Sequence, residues 1–234
     1  MSHAHKGHND NLVEWPFAMH QSSCRLFVIP ARDAPTALVL RRGPSKWYHL
    51  IRWHMASNVF EPGAWFRGRI YERRCDLSPD GNLFVYFCHG GAVRPGYTDS
   101  WTAVSRAPWL YALGLWPWGS TWGGGGRFVD NRRLILHVNM PVDTHPDHPA
   151  RELEIIQGSA EYLQSTAEVH DADWSGQDHA GCLIFCRYGK LFRRDQDGQD
   201  QEIADFNGLR PDPQPAPDWA KEPLAARNKN SRRD

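Results

Sequence analysis

No run of 18 apolar residues occurs anywhere in the sequence, which leaves no segment able to cross a bilayer as a helix. Charge of either sign is not in excess. Lysine and arginine number 27, aspartate and glutamate also 27, and the formal net charge is zero. A general nucleic-acid binder carries a basic surplus, so nucleic acid is not the expected partner, although a local basic face stays open. Cysteine is sparse and odd in number, at Cys24, Cys75, Cys88, Cys182 and Cys186, and no Cys-x-x-Cys spacing exists for a redox or zinc site. The polar, His-rich stretch Met1–Asn11 lacks the apolar centre of a secretory signal. Reduced thiols and a cytoplasmic location are therefore expected. Gly-x-Ser-x-Gly, His-Glu-x-x-His and the Walker lysine are missing as well. Gly119-Ser120-Thr121 offers hydroxyls without the context of a nucleophile elbow.

Glycine, proline and tryptophan are plentiful, at 20, 17 and 11 residues, which suits many turns, short strands and few long helices. The clearest unit is Leu77–Phe87. In Ser78-Pro79-Asp80-Gly81 the proline presets φ, the aspartate bonds its own backbone, and the glycine supplies φ > 0. A strand-forming run, Leu83–Phe87, follows at once. The pattern recurs: Asp130-Asn131 precedes Leu134-Ile135-Leu136, and Gly181 precedes Leu183-Ile184-Phe185, so Gly81, Asn131 and Gly181 stand at intervals of 50. Asp33-Ala34-Pro35 before Ala37–Leu40 is a fourth copy about one period upstream. Short strands repeating at this period predict propeller blades.

This turn-and-strand unit resembles the SPDG-type repeat of bacterial TolB-like β-propellers, in which Ser-Pro-Asp-Gly opens an inner strand of a blade. The chain is also similar to a family of bacterial proteins of like length through Arg41–Ser45, Trp65–Asp76 and Trp122–Gly126. The resemblance implies a propeller fold and supplies no catalytic residues.

The expected organisation is a tail over 1–23, a single β-rich domain over 24–209, and a C-terminal tail over 210–234 that is Pro-rich and then basic. Strands are predicted at Arg25–Ile29, Ala37–Arg41, Trp47–Trp53 and Trp65–Arg74. Phe128-Val129 with Leu134–Val138 reads as one hairpin, and Cys182–Arg187 with Lys190–Arg194 as another. Trp109–Trp116 suits one or two helical turns or a buried strand. Leu153–Ile156 with Ala160–Leu163 suits a modest helix or a strand pair.

Five groups are candidates for chemistry. Gly123–Gly126 offer bare amides to an anion, or else a bend on which rings pack. Trp118 and Trp122 beside that bend suit stacking on a sugar or a partner's side chain, whereas Trp109 and Trp116 suit the core. Arg67, Arg69, Tyr71 and Arg73 share a face if strand alternation holds. They suit phosphate, carboxylate or RNA, or else a sheet surface laced by weak ion pairs. His145, Asp147, His170 and His179, with Asp143, His148, Asp171 and Asp173 nearby, form two loops that together suit a catalytic zinc, or else are solvated. Cys182 and Cys186 read as structural thiols.

The expectation is thus an all-β fold, a small or irregular β-propeller of about four to five blades, with a β-sandwich or barrel as the alternative. The function expected is a cytoplasmic binding or scaffold domain that engages a protein partner, or a small molecule, through Arg69, Arg73, Trp118, Trp122 and Arg127, with no membrane contact and no cofactor. A metal-dependent hydrolase on the His/Asp loops and a carbohydrate-binding module on the Trp/Gly bend are the alternatives.

Overall fold

The computed structural model describes residues 23–43, 45–91, 94–159 and 169–225. Four sheets follow one another along the chain. The first is an antiparallel meander of β1 (Arg25–Pro30), β2 (Thr36–Arg42), β3 (Trp47–His54) and β4 (Val59–Arg67). The second contains β5 (Arg69–Ile70), β6 (Asp76–Leu77), β7 (Leu83–His89), β8 (Ser100–Arg106) and β9 (Gly114–Pro117). In it both β5 and β6 pair with β7. The third comprises β10 (Gly126–Phe128), β11 (Arg133–His137) and β12 (Glu154–Gly158), and is mixed because β12 runs parallel to β11. The fourth is a second meander, β13 (Trp174–Gln177), β14 (Leu183–Arg187), β15 (Lys190–Arg194) and β16 (Asp200–Asp205). Among the described residues the only α-helix is α1 (Asp218–Lys221). None of these helices is long and apolar enough to cross a membrane.

The sheets pack face to face, and the sequence of the second strands explains the stacking order. Strand β2 is apolar at consecutive positions because both its faces are covered. Leu38 and Leu40 meet Phe84, Tyr86 and Cys88 of β7. Ala37 and Val39, from the opposite face, meet Trp174, Ile184 and Leu191 of the fourth sheet. Strand β7 divides in the same way, with Leu83 and Val85 packed against Phe128, Leu134 and Leu136 of the third sheet. The order is therefore fourth, first, second, third. No core cluster of described residues joins the third sheet to the fourth. Each fully buried Leu or Phe contributes about 1.5–3 kcal/mol through lost apolar surface, so these three interfaces dominate the stability.

The turns singled out by sequence all precede second strands, with β5 and β6, which both pair with β7, counted as one interrupted first strand. Asp33–Pro35 lead into β2, Ser78–Gly81 into β7, Asp130-Asn131 into β11 and Gly181 into β14. Three of them touch in series: Asp33 N donates to Pro79 O at 2.9 Å, and Asp80 N donates to Asn131 Oδ1 at 2.9 Å. Inside the SPDG turn Gly81 N donates to Ser78 O at 2.8 Å, with Gly81 at φ +76°. A Cβ there would stand 2.2 Å from Thr36 Cγ2, so glycine is required both by conformation and by its neighbour in the first sheet. The two predicted hairpins form, with Phe128 opposite Leu134 and Arg187 opposite Lys190.

Several local expectations are corrected. The predicted strand Trp65–Arg74 is three pieces. Strand β4 ends at Arg67, Gly68 carries the chain to the second sheet, and after β5 a single 3-10 turn spans Glu72–Arg74. Gly68 permits the crossing because a Cβ would meet the Phe66 ring at 2.6 Å and His89 O at 2.8 Å. Of the two readings left open for Trp109–Trp116, the strand is the one found, at its end in β9. Glu154–Gly158 is a strand, and residues 160–163, invoked with it, lie outside the described residues, as does the N-terminal tail over 1–22. The Pro-rich segment after β16 is held at both ends. Arg41, 1% exposed, donates to Phe206 O at 2.8 Å and to Leu209 O at 3.0 Å, while Ala220 and Leu224 are buried. All five cysteines are free thiols, and Cys182 alone is not buried.

Candidate arginine-lined site

Strand β1 starts at one end of the molecule and runs toward the turns at the other. Around its start lies a cleft of about 550 Å³ lined by Arg25, Arg42, Arg69, Arg73 and Arg74, with Glu72, Asp173, Phe27 and Tyr71 among the other walls. Three sheets contribute. Arg25 opens β1 and Arg42 closes β2, the 3-10 turn before β6 supplies Glu72–Arg74, and Asp173 immediately precedes β13. Among the described residues five arginines face two carboxylates, a formal surplus of three positive charges in a chain whose total is zero.

The register makes this surplus costly to the fold. Arg25 and Arg42 are direct partners across the β1–β2 ladder. Like charges placed opposite one another destabilise a strand pair, so an anion between them relieves a cost that the empty sheet carries.

The cations differ in how far they are committed. Arg69 donates from Nη1 to Tyr48 Oη at 2.8 Å and from Nη2 to Glu72 Oε2 at 3.2 Å. Tyr48 Oη in turn donates to Glu72 Oε1 at 2.8 Å. Burial, followed by the Glu72 charge, raises the Tyr48 pKa, so the phenol stays a donor. Arg74 stacks over Tyr71 and Phe87, with its carbon 5.0 and 5.3 Å from the two ring centres. It donates to Thr121 O at 2.9 Å and Gly123 O at 2.6 Å, which ties the Gly/Trp bend to the cleft wall. Arg42 and Arg73 have no hydrogen-bond or ion-pair partner among the described residues. Desolvation raises the Asp173 pKa, opposed by the Arg25 charge and by a hydrogen bond from the Leu26 backbone.

The glycine run is a packing element. A Cβ on Gly124 would stand 2.3 Å from the Phe87 ring, and one on Gly125 would stand 2.2 Å from Arg74 O. Both residues have positive φ, at +83° and +92°. The bend therefore lies flat on the turn that presents Arg73 and Arg74. Of the residues proposed from sequence, Arg69 and Arg73 line the cleft. Trp118 and Trp122 do not line it; Trp122, 82% exposed, lies between Thr121 and Gly123, whose carbonyls Arg74 binds, and Trp118 Nε1 donates to Trp122 O. Arg127 does not line the cleft; it sits in β10, where its charge acts on Asp76. Arg25, Arg42 and Asp173 were missed as a group, because each sits singly at the end of a strand and only the fold collects them.

The histidine loops make a different structure. His145 is 7% exposed, stacks on Tyr97 at 4.1 Å between centroids, and accepts the Asp147 amide on Nδ1 at 3.2 Å. His148 bonds Ala112 O through Nδ1 at 2.8 Å, and Tyr97 Oη lies 3.2 Å from its Nε2. His170, with a side chain 94% exposed, pairs with Asp171, and His179 is exposed in the turn before β14. No group of three His, Cys, Asp or Glu side chains among the described residues is placed to hold a metal ion.

Comparisons with protein-family models, with curated proteins and with solved structures gave no match for this chain.

Proposed function

We propose that this chain is a propeller-like binding domain of four sheets whose arginine-lined cleft receives an anionic ligand or the anionic segment of a partner. The convergence of Arg25, Arg42 and Arg73 from separate stretches of chain, with Arg25 and Arg42 opposed in register, carries the reading. Arginine suits the role because its planar fork binds carboxylate or phosphate through two parallel hydrogen bonds. The propeller reading draws support from the stacking of consecutive sheets, from first strands that lie side by side (β1 with β6 and β13, β6 with β10), and from equivalent turns bonded in series. A propeller binds at the mouth where its inner strands begin, and here the cleft opens at that place. Trp118 and Trp122 give the rim an apolar contact.

Titration calorimetry with pyrophosphate and with a hexaglutamate peptide tests the reading. Saturable binding of either, weakened at least tenfold by Arg73→Glu with the melting temperature unchanged, is the expected result. Absence of heat with both anions at low salt would overturn it.

A further inference from the structure

A second cleft, also about 550 Å³, adjoins the first and is lined by Lys46, Arg67 and His89 together with Arg42 and Arg69, which line both. Among the described residues no carboxylate lines this second cleft. The two are therefore one trough. Its near half holds Arg25 and Arg73, its far half Lys46 and Arg67, and Arg42 and Arg69 stand on the divide. A single phosphate or carboxylate engages one or two forks and leaves the rest of this field uncompensated. The trough matches an anion whose charges recur along a flexible backbone.

We propose that the trough binds the sugar–phosphate backbone of single-stranded nucleic acid, without regard to base sequence. This inference rests on the anion-binding reading above and names its ligand class. Several physical arguments favour it. Phosphodiesters carry their charge on the backbone itself, so a strand laid along the trough meets Arg73, Arg25, Arg42 and Arg67 in turn, whereas carboxylates on an acidic peptide hang from separately mobile stems. A duplex presents its phosphates on a stiff convex cylinder, and a concave cleft of this size admits one strand. In the far half Gly91 presents bare backbone, with nothing within 4 Å of where a Cβ would stand, which lets a phosphate approach closely. Zero net charge does not oppose the assignment, because affinity depends on the local field, and the acids elsewhere on the surface disfavour other faces.

The test uses the full chain and a fluorescein-labelled 12-nucleotide oligothymidylate, with anisotropy titrations between 50 and 200 mM NaCl. Neutralising about four phosphates gives a slope of log affinity against log salt near −2.8, hence a loss of about 50-fold across that range. Arg67→Ala, in the far half alone, and Arg73→Ala, in the near half alone, are each expected to lower affinity and flatten the slope by about 0.7. Both side chains are exposed, so neither variant threatens the fold. A slope that responds to Arg73→Ala and ignores Arg67→Ala would overturn the spanning strand and leave the anion-binding mouth intact. Binding of pyrophosphate or hexaglutamate with none of the oligonucleotide would do the same. Failure of every anion removes both readings together.

Discussion

The arginine cleft draws Arg25, Arg42, Arg69, Arg73, Arg74 and Asp173 from four separated stretches of the chain, whereas His145, Asp147 and His148 fall within four consecutive positions. The histidines are the denser group in sequence, although the binding face expected from sequence was the arginine and tryptophan set. Three of the histidine ring nitrogens, however, are engaged inside the protein: His145 Nδ1 accepts the Asp147 amide, and both nitrogens of His148 have partners in Ala112 O and Tyr97 Oη. In the cleft the balance is reversed. Arg42 and Arg73 hold donors with no partner among the described residues, and Arg25 faces Arg42 across the ladder. Unspent donors and unrelieved repulsion mark a place for a ligand, whereas satisfied polar groups mark a fastening.

The strongest way to break this contrast is to damage the support beneath the cleft. Gly125→Ala places a methyl group 2.2 Å from Arg74 O in a backbone with φ +92°. A loss of about 3 kcal/mol in urea unfolding is expected, with anion affinity falling alongside as the Arg73–Arg74 turn is displaced. Gly158→Ala is the control, since nothing lies within 4 Å of its added Cβ, and it should stay within about 0.5 kcal/mol of the parent. An unchanged Gly125→Ala protein would show that the glycine run is not needed to seat the arginines.

Next in size is charge reversal in the cleft itself. Arg73→Glu should weaken pyrophosphate at least tenfold and leave the unfolding midpoint in place, because Arg73 is exposed and makes no internal bond among the described residues. The matching change in the histidine loop should do the opposite. His148→Ala removes the links to Ala112 and Tyr97 and should cost about 1–2 kcal/mol of stability with anion affinity unaltered. Zinc added to the parent should leave its melting temperature unmoved. A zinc-dependent rise abolished by His148→Ala would return the loop to the list of functional sites.

The sequence disclosed the turns better than the site. Proline, aspartate and glycine fix local dihedral angles, so Ser78–Gly81, Asp130-Asn131 and Gly181 could be read from neighbours alone, and each does lead into a second strand. Arg69 and Arg73 were legible as a cluster of like charge, though not in the right geometry: the Gly68 crossing and the 3-10 turn, rather than strand alternation, place them together. Arg25, Arg42 and Asp173 were illegible because their meeting depends on long-range pairing of β1 with β2 and on packing of the fourth sheet against the first. Net charge is silent on the cleft for the same reason. A sum over the chain carries no information about which charges share a cleft.

Asp173 offers the finest test of the contrast. Desolvation lifts its pKa above the ordinary aspartate value of 3.8, against the pull of Arg25 and of a hydrogen bond from the Leu26 backbone. As pH falls from 7 toward this raised range, Asp173 takes up a proton before an ordinary carboxylate does, and the cleft loses one of its two negative charges. The sign follows: on mild acidification the parent should gain pyrophosphate affinity relative to Asp173→Asn, a comparison in which the ligand's own protonation cancels. At about 6 Å in a water-like dielectric the change is roughly 0.7 kcal/mol, close to threefold. The same shift means that the ionised form is disfavoured in the folded state, so Asp173→Asn should be as stable as the parent at pH 7 or slightly more so. Asp173→Asn should also bind more tightly than the parent at pH 7, and the two affinities should converge in acid. The difference between the two titrations isolates this carboxylate from every other titrating group in the protein. Parallel pH curves for the two proteins would show that Asp173 does not share the ligand's field, and would move the anion away from the β13 side of the cleft toward Arg42 and Arg69.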